Sequence, residues 1–211
     1  MRLFGRKGGA APNHRDSAQG GNGNPDAVAY RFTLDLMRAE QLAGMMAKSR
    51  SSRVVEVADL LAGMYISDWD RLSEFWDERN QEEIEDFLRG ICQISPQRWH
   101  AWIQFYDGER KKERDWKNRL PLLRSLGKKE LSEPPLEQSA ALAAVLHQAG
   151  QITPFYERST GRSIPILTSE CVLLSIARSY GTEISRKLAA TGLNAAKLEK
   201  RALSPKRAPL I

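Results

Sequence analysis

The sequence predicts an all-α fold, and three observations carry that prediction. Between residues 28 and 203, apolar side chains recur three and four positions apart, the spacing that lines one face of a helix. Ser, Thr or Asn stands ahead of several of these runs, where a side-chain oxygen can cap the first free amides. No segment alternates apolar and polar residues for long enough to read as a strand.

Taken in order, Phe32, Leu36, Ala39, Leu42, Ala43 and Met46 mark a first long helix. Val54, Val57, Ala58, Leu61 and Met64 mark a second, more apolar and therefore central. Ser67 caps a short third helix through Trp69, Leu72, Phe75 and Trp76. A fourth spans residues 80–92, with Asn80 as cap and Ile84, Phe87, Leu88 and Ile91 as its buried stripe. Pro96 then opens a helix with Trp99, Trp102, Ile103 and Tyr106 on one side, continuing as the charged run GERKKERDWKNR until Pro121. Leu142, Val145 and Leu146 begin another helix, which Pro154 kinks or interrupts. Thr168 caps SECVLLSIARSYG, TEISRKLAATG ends at Gly192, and LNAAKLEKRAL starts from Asn194.

The order long, apolar, short, short occurs twice. The sequence therefore predicts two pseudo-repeated four-helix units, residues 28–93 and 136–203, with a helical insertion at 94–135. Residues 1–27 are rich in Gly, Asn, Ser and Pro and read as a disordered tail; 204–211 carry two prolines and are expected to fray.

Composition narrows the function. The 211 residues are 41% apolar and 27% charged, ordinary for a globular domain able to bury its own core. No apolar run reaches the length of a membrane span, and MRLFGRKGG is not followed by the apolar stretch of a secretory signal, so a cytoplasmic protein is expected. Cys92 and Cys171 have apolar neighbours and read as buried thiols; with three histidines they never fall at zinc-ligand spacing, so no metal is expected. The net charge of +6 is uneven. Residues 56–86 hold eleven acids against Arg71 and Arg79, whereas 108–130 hold nine bases against four acids.

Catalysis finds no support. There is no phosphate-cradling G-x-x-x-x-G-K-[ST] loop, no G-x-S-x-G elbow, no H-E-x-x-H pair and no Gly-rich dinucleotide turn, so neither an enzyme nor a cofactor is expected. Asp77, Glu82, Glu85 and Asp86 read as a solvated face, and His147 has no partner acid close by in the sequence.

The segment Thr168-Ser169-Glu170-Cys171-Val172-Leu173-Leu174, followed by Leu188-Ala189-Ala190-Thr191-Gly192-Leu193-Asn194, resembles one repeat of the Clp ATPase N-terminal domain, the Clp repeat. Phe32-Thr33 and Glu56-Val57-Ala58-Asp59-Leu60-Leu61 resemble the corresponding parts of a first repeat. The histidine of the family motif is absent from both, Asp77-Glu78-Arg79-Asn80 replaces the Gly-Val-Asp turn of the first, and the family's short connector is here some forty residues (95–135). The resemblance implies a stand-alone double Clp repeat without the ATPase module, binding protein or peptide, and an adaptor for, or partner of, a Clp-type unfoldase. It also implies that Thr33, Glu56 and Glu170 contact an arginine-phosphate group or a basic degradation signal, although a glutamate at a helix start is equally well explained by capping. In the insertion, Trp99, Trp102, Tyr106 and Arg110 are either packing or a partner-binding face, being residue types enriched in interface hot spots. The alternative reading is a basic nucleic-acid-associated helical protein using 108–130 and both tails.

Overall fold

The computed structural model describes residues 29–76, 81–115, 136–179 and 181–204. In chain order these form β1 (Arg31–Phe32), α1 (Leu34–Ser49), β2 (Val54–Val55), α2 (Val57–Leu72) and a single 3-10 turn (Ser73–Phe75). There follow α3 (Gln81–Cys92), α4 (Pro96–Asp115), β3 (Glu137–Gln138), α5 (Ala140–Ile152), β4 (Tyr156–Ser159) and β5 (Arg162–Leu167). The last three are α6 (Ser169–Arg178), α7 (Glu183–Ala190) and α8 (Ala195–Ala202). The fold is largely helical, as the spacing required.

The helix starts follow side-chain chemistry. Ser139, Thr168, Thr182 and Asn194 each accept a hydrogen bond from the backbone amide three residues on, at 2.9–3.2 Å. A helical segment does resume just after Ser67, but the Ser67 hydroxyl caps nothing. Helix α2 runs on to Leu72 with a break in helical geometry at Asp68 (φ −136°, ψ 21°), and the expected short third helix is the end of α2 plus the 3-10 turn. The Asn80 cap, the tail 1–27, most of the charged end of the insertion and residues 205–211 lie outside the described residues.

Strands are the main departure from the sequence reading. Helix α5 ends at Ile152, because a residue before proline is pushed out of helical geometry and Thr153 is extended (ψ 133°). The chain then forms an antiparallel hairpin, Tyr156 opposite Pro165 and Ser159 opposite Arg162. Its two-residue turn has positive φ at both positions, Thr160 (47°) and Gly161 (77°), the geometry that suits a tight hairpin.

The remaining strand pairs are parallel and only two residues long. Arg31 and Phe32 of β1 lie opposite Ile166 and Leu167 of β5, and Val54 and Val55 of β2 lie opposite Glu137 and Gln138 of β3. Each pair joins one half of the chain to the other. Between them runs one continuous core with α2 and α6 at its centre, where Leu60, Leu61, Met64, Val172, Leu173 and Leu174 are buried. Helices α1 and α2 approach so closely that a Cβ on Gly63 would fall well inside van der Waals contact of the Ala39 carbonyl.

Candidate functional site

The β1–β5 pairing brings together two residues that stand 137 positions apart in the sequence, Thr33 and Glu170. Phe32 lies opposite Leu167, and the Thr33 amide donates to the Leu167 carbonyl at 3.0 Å, so both residues sit at the shared end of the two strands. Thr33 is the residue ahead of α1 but its side chain caps nothing; it is 8% exposed and its Oγ1 has no hydrogen-bond partner. Glu170 is in the first turn of α6, also 8% exposed.

Arg71, from the last turn of α2, faces this corner. Its Nη2 lies 3.0 Å from Glu170 Oε2 and 3.0 Å from Asp68 Oδ2, and its Nη1 lies 3.5 Å from Asp35 Oδ2. The arrangement is consistent with the helix dipoles. Asp35 and Glu170 occupy the positive N-terminal turns of α1 and α6, while the cation occupies the negative end of α2. Asp68 pays for its position: burial pushes its carboxyl up to about 6, against the opposing pull of Arg71 and of the Ser169 hydroxyl beside it, while Asp35 and Glu170 add to the rise. Ser169 is fully buried, so its hydroxyl meets Asp68 away from solvent.

Glu56 is elsewhere. It is exposed and directly precedes α2, and its backbone amide donates to Asp59 Oδ2 at 2.9 Å. Asp59 in turn is fully buried and held by both terminal nitrogens of Arg50, at 2.6 and 2.9 Å. That is a structural pair that fixes the turn into α2. Glu56 and Glu170 therefore occupy different places, one ahead of its helix and the other two residues into the corresponding one.

The insertion's aromatic face is turned inward. Trp99 is 0% exposed and packs against Tyr65 with ring centroids 5.7 Å apart; Tyr106 is buried and its hydroxyl donates to the Ser67 carbonyl at 3.1 Å. Neither is available to a partner, because helical spacing places both on the face that covers α2. Trp102 is partly buried against the same core, and Phe105, 46% exposed, meets it edge to face at 6.2 Å. The Arg110 side chain lies outside the described residues.

Burial also raises both thiols above their ordinary value, Cys92 to about 12. Sequence reasoning missed Arg71, Asp68, Asp35 and Ser169. One signal was present: Arg71 is one of two bases in the acid-rich run 56–86, and a cation so outnumbered by acids has partners to find. Among the described residues no helix is long and apolar enough to cross a membrane. No family model, curated protein or solved structure matches this chain.

Proposed function

We propose that this chain is a non-enzymatic protein- or peptide-binding module built as a double Clp repeat, acting as an adaptor or substrate-recognition factor for a Clp-type unfoldase. The observation that carries the reading is a reciprocal exchange of strands. β1, ahead of the long helix α1, pairs with β5, ahead of the apolar helix α6; β3, ahead of α5, pairs with β2, ahead of the apolar helix α2. The amide that follows each short strand donates to the last carbonyl of its partner at 3.0 Å, Thr33 to Leu167 and Ser139 to Val55. Two related units facing each other across a pseudo-two-fold axis would produce this reciprocity.

On this reading one ligand position is assigned, at Thr33 and Glu170. The place matching Glu170 two residues after the α2 cap is Ala58, which offers no carboxylate. Fluorescence anisotropy with a short peptide carrying one central arginine, and its phosphoarginine form, tests the assignment. Saturable binding lost in Glu170→Gln supports it, and binding indifferent to that change refutes it. Capture of a Clp-type ATPase is expected to survive high salt, whereas binding of DNA whose log affinity falls linearly with log salt would favour the nucleic-acid reading.

A further inference from the structure

We infer that Arg71 is a built-in competitor for the proposed peptide site, its guanidinium occupying the carboxylates that an arginine of a bound peptide would have to take. The inference rests on the assignment of Thr33 and Glu170 as that site. Among the described residues, Arg71 is the one cation within ion-pair distance of both Glu170 and Asp68.

Its seating is that of a replaceable group. One nitrogen, Nη2, is divided between two carboxylates at 3.0 Å each, Nη1 reaches Asp35 only at 3.5 Å, and the buried Nε has no partner. A guanidinium bound to stay uses two nitrogens on two oxygens of one carboxylate, as Arg50 does on the fully buried Asp59. The Arg71 side chain is 34% exposed, so it has a solvent side to leave by, whereas Asp68 and Glu170 remain almost covered.

One hydroxyl at this corner points to a polar ligand independently of the charges. Thr33, at the end of the same strand pair, is more than nine-tenths buried with its side-chain oxygen unpartnered. A buried hydroxyl without a hydrogen bond is costly, so a ligand that supplies its partner gains what Arg71 does not collect. Exchange of one guanidinium for another leaves the charge of the corner unchanged. The affinity observed is then the intrinsic affinity scaled by the fraction of molecules in which Arg71 has swung out.

The test uses the full chain, the single-arginine peptide and the same peptide with citrulline. Arg71→Gln is expected to bind the arginine peptide about tenfold more tightly than the parent, a shift that the competing fraction accounts for. Arg71→Lys, which keeps the charge but loses the planar fork, is expected to fall between them and carries the comparison if Arg71→Gln does not fold. Arg71→Gln combined with Glu170→Gln should lose the gain, and citrulline should abolish binding throughout. In the parent chain, the Arg71 Nε–H resonance should move as the peptide is added. Glu170-dependent binding of the parent that neither Arg71 variant tightens would overturn the competitor while leaving the site in place. Absence of Glu170-dependent binding in every variant would overturn both.

Discussion

Two residues are held where physical cost is easiest to measure. Gly63 lies at the crossing of α1 and α2, and the atom a larger side chain would meet is the Ala39 backbone carbonyl, which cannot rotate away. Gly63→Ala is expected to destabilise by about 1–3 kcal/mol, and adding Ala39→Gly should not rescue it, since the obstacle is main chain; urea titrations of the two single variants and the double decide this. Asp68 is the second. Its carboxyl is raised from 3.8 to about 6 in the folded chain, so the folded state holds the proton more tightly than the unfolded one. The cost is therefore fully present above the folded value and vanishes as pH falls below the unfolded one. Asp68→Asn is expected to stabilise by roughly 1–3 kcal/mol at pH ~8, with the advantage gone near pH ~4. Melting curves showing the opposite trend would mean that Arg71, rather than burial, governs this carboxylate.

Helix α4 shows what sequence spacing can and cannot deliver. Trp99, Trp102 and Tyr106 share a face because they recur at three and four, and that face was legible; its direction was not, because packing and display leave the same pattern. Trp99 is fully buried, so Trp99→Ala is expected to cost about 3–5 kcal/mol, and Phe105→Ala, on the exposed side, well under about 1. Equal small losses would mean that α4 does not cover α2. The strands were illegible for a different reason. Two-residue pairings carry no period, and Pro165 disguises β5. The clue that remained was Thr160-Gly161, a turn signal lying between Tyr156 and Ile164. The candidate site inherits this blindness: Thr33 and Glu170 were each visible as helix starts, but only the non-local β1–β5 register puts them in one corner.

At the scale of the whole molecule, the two halves are completed by one another. Each parallel strand pair takes one strand from each half, so neither half can satisfy its own short edges. The Asn194 amide donates to the Phe75 carbonyl at 2.8 Å, and Trp76 Nε1 donates to Thr191 Oγ1 at 3.0 Å. Leu61, Tyr65, Trp69 and Leu72 line a shared apolar cleft with Leu173 and Leu188, so separating the halves would expose large side chains on both. Leu173→Ala, at a fully buried position, should accordingly lower the one melting transition by about 2–5 kcal/mol and not split it in two. The sharper test is scission. Residues 29–115, which keep α4 over α2, are expected to give no cooperative melt when expressed alone, as are residues 136–204, because each lacks the strand its partner supplies. Mixed together, the two pieces should regain helicity and a single transition whose midpoint rises with concentration, as association linked to folding requires. A sharp, concentration-independent melt from either piece alone would show that the halves fold first and dock afterwards, and the strand exchange would then be a consequence of docking rather than a condition of folding.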